Sequence, residues 1–138
     1  MKIKLNSTVI ACALVATTFA VDAKSLPPLE ENSRVRGEFL AAAIGDEIRK
    51  NCPSISARML RVLGRVNKLE EYAISQGYTK SDIKEMREDP GAKARLKAMR
   101  DDYLAANGVV AGNPDSYCRL GHEEIQKKSL TGWLLRAK

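Results

Sequence analysis

The chain has one histidine, one tryptophan and two phenylalanines in 138 residues, and aromatics make up only 5% of it. The single histidine and three cysteines do not cluster at the regular spacing of a zinc module, which needs at least three converging protein donors. No glycine-rich loop is present to cradle phosphate groups, and no nucleophile sits beside a base and its orienting partner. Alternation with period two never runs long enough for a strand, and neither internal repeats nor low-complexity tracts occur. These absences exclude the common routes to cofactor binding and metal chemistry. They leave a small protein read as non-enzymatic, with no cofactor and no metal.

What is present begins at the amino terminus. Lys2 and Lys4 precede an uncharged apolar run from Thr8 to Val21. Val21-Asp22-Ala23 then offers the small residues that a signal peptidase accepts, and Thr18-Phe19-Ala20 offers a second cut. Together these are the three parts of an export signal over residues 1–23. The run is shorter than the ~20 residues that cross a bilayer as a helix, which argues against a permanent anchor. Val9-Ile10-Ala11-Cys12 superficially resembles a lipoprotein box, but Cys12 lies in the middle of the apolar run. Too little hydrophobic length precedes it for that role.

Cleavage near Ala23 would leave 115 residues with 21 basic and 16 acidic side chains, and would place them in the periplasm. Basic and acidic residues are interleaved, as in Asp46-Glu47 followed by Arg49-Lys50. This pattern marks solvated helix faces and gives no footprint for nucleic acid. Of the three cysteines, Cys52 and Cys118 survive cleavage. Two cysteines in an exported domain are most simply a disulfide. Closing so long a loop would stabilise the fold by roughly 4 kcal/mol on a chain-entropy view, a large share of a small domain's net stability.

The mature chain reads as an extended, mobile leader over 24–32 and one all-α domain over 33–138, a small bundle of five or six mostly short helices. Asn32 or Ser33 caps the first, in which Val35, Phe39, Leu40, Ala43, Ile44, Ile48 and Cys52 recur at three- and four-residue steps. Cys52 ends that stripe, where a buried half-cystine belongs, and Pro53 stops the helix. Ser54 or Ser56 is expected to cap the second, whose seam is Met59, Val62, Val66, Leu69 and Ala73, widened by Leu63. Gly77 ends it. Thr79 to Asp82 resembles a capping box, and Asp89-Pro90 and Asn113-Pro114 each read as an N-cap followed by proline at the first helical position. A last short helix after Ser129 carries Leu130, Trp133 and Leu134.

Few residues qualify as sites. Cys118 and His122 lie four apart on one helical face, but no third ligand converges on them, and a surface histidine beside a disulfide is the simpler reading. The pairs Asp46-Glu47, Glu70-Glu71 and Glu123-Glu124 invite an acid/base reading. Neighbouring residues on a helix point about 100° apart, however, so neither member faces the other's substrate. Arg58, Arg61, Arg65 and Lys68 form a basic ridge that suits an acidic partner or anionic lipid, although solubility explains such ridges too. Trp133, in an apolar segment near a basic end, suits packing onto the domain or contact with a membrane interface or protein groove.

Leu26-Pro-Pro-Leu29, Leu40-Ala-Ala-Ala-Ile-Gly-Asp46, Lys50-Asn-Cys-Pro-Ser-Ile-Ser-Ala-Arg58 and Asn113-Pro-Asp-Ser-Tyr-Cys118 together resemble an uncharacterised family. It comprises small exported proteins of Rhodobacter-like and Paracoccus-like alphaproteobacteria, known as a domain of unknown function. The likeness covers the whole mature region. It implies a helical periplasmic domain with Cys52 and Cys118 paired, and it supplies no reaction and no ligand. The association of such genes with respiratory NADH:quinone oxidoreductase genes would imply an accessory or assembly role. The expected function is therefore a non-enzymatic accessory protein that docks on an envelope, inner-membrane or respiratory complex, with peripheral membrane contact open to it. A secreted inhibitor or immunity-type protein and an envelope stress chaperone are the alternatives.

Overall fold

The computed structural model describes residues 25–138, so the export-signal reading of residues 1–23 lies outside the described residues. Six helices and one two-stranded ladder make up the described chain. Helix α1 (Ser33–Asn51) starts where the Asn32 side chain accepts from the N–H groups of Arg34 and Val35, at 3.1 and 3.2 Å. Capping of this kind satisfies donors that an isolated helix end leaves unpaired. Pro53 cannot continue the helix, and Cys52 closes it by donating its N–H to the Ile48 carbonyl at 2.8 Å.

The next segment departs from the sequence expectation. Ser54 and Ser56 cap nothing; instead Ile55–Ala57 forms β1, and Arg58 stands at the N-cap of α2 (Met59–Ser75) without a side-chain cap. Strand β1 pairs antiparallel with β2 (Leu135–Ala137), with Ser56 opposite Arg136. Three residues carry no legible alternation; the ladder exists because the chain's end returns to this place.

The remaining caps follow the sequence closely. Thr79 and Asp82 make a full capping box at the start of α3 (Lys80–Glu88). Asp89 and Pro90 open α4 (Pro90–Ala106), and Asn113 and Pro114 open α5 (Pro114–Lys127). Ser129 caps α6 (Leu130–Leu134) by accepting from Gly132 N–H. Gly77, at φ +96°, makes the left-handed turn out of α2.

Helix α1 is the axis of the molecule, and its two halves serve two cores. Its C-terminal half buries Ile44, Ile48 and Cys52 against Ile55, Leu104, Tyr117, Leu120 and Leu135. Its N-terminal half buries Val35 with Leu29, Ala73 and Tyr78, and half-buried Phe39, Leu69 and Met86 pack around them. Burying a side chain such as Ile48 or Leu120 contributes about 1.5–3 kcal/mol. The leader takes part in this second core. Leu29 opens a 3-10 turn (Leu29–Glu31) and is buried, while Tyr78 donates its hydroxyl to the Pro27 carbonyl at 2.9 Å. Residues 25–28 carry no regular structure and are exposed, and the chain turns onto this core at Leu29.

Two glycines set how closely the helices approach. A Cβ on Gly121 would run into Ile55 and Ile48, so α5 crosses α1 and β1 at a site that admits no side chain. A Cβ on Gly132 would occupy the space of the Glu124 carbonyl, so α6 lies backbone-to-backbone on α5. Cys52 and Cys118 form a disulfide with Cα atoms 5.0 Å apart, tying the end of α1 to the first turns of α5.

Candidate interaction surface

Helix α2 sits at the edge of the fold. Its inner stripe, Val62, Leu69 and Ala73, faces the second core, with Ala73 buried and the other two half-buried. The rest of the expected seam is not covered. Met59 and Leu63 are each 57% exposed, Val66 is 46% exposed, and Leu60 beside them is 87% exposed. Met59, Leu63, Val66 and Ile74 fall at helical steps along one outer flank, interrupted only by Glu70, whose carboxylate lies 3.7 Å from Lys80. Periodicity identified the apolar side of α2 correctly, but nothing in the described chain lies over its outer half. Contiguous apolar surface of this kind marks an interaction site more often than single exposed leucines do.

Polar contacts add to the apolar burial of Ala73 and Leu69 in holding α2 in place. Arg58 donates through Nε to the Leu135 carbonyl at 2.9 Å, and Arg61 donates to the Trp133 carbonyl at 3.1 Å. Arg65 makes a two-pronged pair with Glu38 of α1, at 2.8 and 2.5 Å. Glu38 is buried, and its carboxylate pushes the Arg65 guanidinium still further above its ordinary range. Fork-to-fork geometry of this type fixes direction as well as distance. At the other end of α2, Arg34 stacks over the Tyr72 ring, 4.1 Å from its centroid.

Trp133 joins this arrangement. Its ring carries Arg61 at 4.8 Å and Arg65 at 5.8 Å from the centroid, and it remains 40% exposed. Contacts of that kind contribute roughly 0.5–1 kcal/mol each at exposed positions. The neighbouring Thr131, Gly132, Leu134 and Leu135 are buried, and Thr131 donates to the Ala41 carbonyl at 3.2 Å. The C-terminal segment is thus part of the core, with the indole laid on its outside.

The residues singled out in the sequence separate accordingly. Arg58, Arg61 and Arg65 come together with Trp133, and all three heads have partners inside the molecule. Lys68 is exposed and has no ion-pair partner among the described residues. His122 is exposed beside the disulfide. The carboxylate pairs are split: Asp46 meets Arg49 and Lys50 at 2.5 Å each, and Glu47 meets Arg100 at 3.1 Å. No group of three or more His, Cys, Asp or Glu among the described residues could hold a metal ion. No helix among them is long and apolar enough to cross a membrane.

The burial of two carboxylates, Glu38 and Glu124, escaped the sequence reading, which took the Glu123-Glu124 pair only as a possible acid/base couple. Glu38 follows Val35 by three residues, and Glu124 follows Leu120 by four, so each sits within a buried stripe where an apolar residue is usual. Glu124 accepts from Tyr103 at 2.8 Å and from the Ser129 hydroxyl, linking α4, α5 and the start of α6. Burial first, and then the Glu124 carboxylate, pushes the Tyr103 phenol up to about 12. Reading stripes by position instead of by apolar content would have found both.

A model of a family of unknown function, DUF5333, matches residues 27–136. No curated protein and no solved structure matches the chain.

Proposed function

Starting from the chain's membership of this family of unknown function, we propose that it is a non-enzymatic interaction protein, exported to the periplasm of an alphaproteobacterium after loss of residues 1–23. In this reading it acts as an accessory factor of an inner-membrane assembly. The occupant of its surface is an amphipathic helix of a protein partner. The observation that carries this is the uncovered outer flank of α2, held rigidly from behind. A 17-residue helix is about 25 Å long. That length presents anchors at Met59, Leu63, Val66 and Ile74, the spacing by which one helix reads another.

Two further observations support the reading. The 21 basic against 16 acidic side chains left after cleavage fit a partner that carries carboxylates. The Cys52–Cys118 bond agrees with an oxidising compartment. Arg58, Arg61 and Arg65 serve as the fastening of α2, and their role in docking is to present the helix.

A photocrosslinking side chain placed at Leu60, at Leu63 and, as a control, at exposed Gln126 tests this in the native host. One discrete heavier adduct is expected from the two α2 positions and not from Gln126. Leu60→Asp should abolish the adduct made from position 63 while leaving the melting temperature nearly unchanged, since Leu60 is 87% exposed. An adduct of twice the chain's mass would instead identify a second copy as the occupant. Absence of any position-specific adduct would refute the docking surface. Intact-mass measurement of the same material checks cleavage after Ala23.

A further inference from the structure

On the other side of α1, a chamber of about 580 Å³ opens between the leader, α1, α3 and α4. Its floor is apolar: Phe39, Met86, Leu96 and Met99 line it. Its rim is charged, with Arg36, Arg87, Lys93 and Arg95 against Glu30 and Glu31. Arg95 is engaged with Glu30 and lies 3.6 Å from Asp89. Arg36, Arg87 and Lys93 have no ion-pair partner among the described residues. The balance at the rim is therefore cationic, with four basic groups against two acidic ones, although Glu31 too has no ion-pair partner among the described residues.

A second cavity adjoins the floor of the chamber. Val35, Phe39, Met86 and Arg87 also line a narrower cleft of about 110 Å³ that runs between α1, α2 and α3. Beyond those shared residues the cleft is walled mainly by Val62, Val66, Leu69, Ala73 and Ile83. A wide mouth with a net positive rim thus adjoins a narrow apolar slot, with Phe39 and Met86 as part of the wall between them. Methionine makes such a wall adaptable, because its unbranched side chain repacks readily and can open a way through. The outer chamber alone falls in the ~300–1,000 Å³ range of small-molecule sites.

The geometry points to a binding site for a single-chain amphiphile with an anionic head. The chain would lie over Phe39 and Met86 and enter the slot, and the head would rest between Arg36 and Arg87 with Lys93 beside it. Guanidinium groups match a carboxylate or phosphate in shape as well as charge. The polarity of the cavity sets the ligand's direction, and its single slot favours one chain over two. Such a head belongs to a free fatty acid or to a lysophospholipid.

Titration calorimetry on the purified protein decides the matter, using dodecanoate, lysophosphatidylglycerol and dodecyltrimethylammonium, each below micelle formation. Saturable one-to-one binding is expected for at least one anionic probe, at least tenfold tighter than for the cationic one. The tighter of the two anions identifies the source of the head. Arg36→Glu with Arg87→Glu, both exposed heads, should weaken that binding at least tenfold without altering the melt. Met86→Trp, which fills the passage, should weaken both anions alike. Equal binding of the cationic probe, no binding of either anion, or unchanged affinity in the Arg36/Arg87 variant would overturn the assignment.

Discussion

Arg58, at the amino-terminal cap of α2, donates its Nε–H to the carbonyl of Leu135 at 2.9 Å, across 77 residues of chain. Its backbone N–H extends the same link by donating to the Leu134 carbonyl at 2.8 Å. The start of α2 and the start of β2 therefore form a single unit, and α2 is positioned by the end of the chain.

Removal of residues 130–138 should accordingly unfold the domain rather than trim it. That deletion takes away buried Leu134 and Leu135, the whole of β2 and the acceptors of Arg58 and Arg61. Circular dichroism should show loss of the cooperative melt. Trp133→Ala is the contrasting change: the ring is partly exposed, so stability should fall by only about 1–2 kcal/mol. A truncated chain that melts like the full protein would contradict this account of the segment.

The disulfide should supply a large part of the net stability. It spans 66 residues, for which chain entropy gives about 4 kcal/mol. Cys52→Ser or Cys118→Ser should lower the denaturant midpoint markedly under oxidising conditions, and reduction of the native protein should do the same. If both variants melt like the native protein, the bond has no such role.

Gly132 and Gly64 should respond oppositely to the same substitution. Gly132→Ala forces a methyl group into the Glu124 carbonyl, and since backbone meets backbone there, the loss should be roughly 3 kcal/mol or more. A Cβ on Gly64, inside α2, meets nothing within 4 Å. Gly64→Ala should therefore stabilise by roughly 0.5–1 kcal/mol through helix propensity. Urea titration of the two variants checks both signs.

Tyr103 gives a prediction in pH. Its phenol ionises near 10.0 when unfolded and is pushed up to about 12 in the fold, by burial and by the Glu124 carboxylate beside it. Between those values the unfolded chain loses this proton while the folded chain keeps it, so stability should fall as pH rises from about 10 to about 12. The contribution is complete below pH 10. Tyr103→Phe should flatten this part of the stability profile, and the native protein's absorbance near 295 nm should show one late-titrating tyrosine. A profile that Tyr103→Phe leaves unaltered would show that another group controls the alkaline limit.

Helix boundaries, caps and the two half-cystines were legible in the residues, because each depends on a few neighbours. Asn32, Thr79 with Asp82, Asp89-Pro90, Asn113-Pro114 and Ser129 mark helix starts wherever the chain is placed. The capping of α2 was misread at Ser54 and Ser56 because β1 exists only through β2, eighty residues away along the register Ser56 to Arg136. A three-residue strand has no local signature to recognise.

Local pattern alone thus determined a helical chain with an apolar side to each helix and a pair of cysteines suited to bonding. Which apolar sides are covered was decided only in three dimensions. Leu60 and Leu63 have the same composition and spacing as residues that are buried elsewhere, and they stay exposed because no other element among the described residues covers them. The arginines of α2 likewise read as a free basic ridge until the returning C-terminus supplied carbonyls and an indole to receive them. Periodicity records how a helix divides its surface, whereas burial depends on what the rest of the chain brings to that surface.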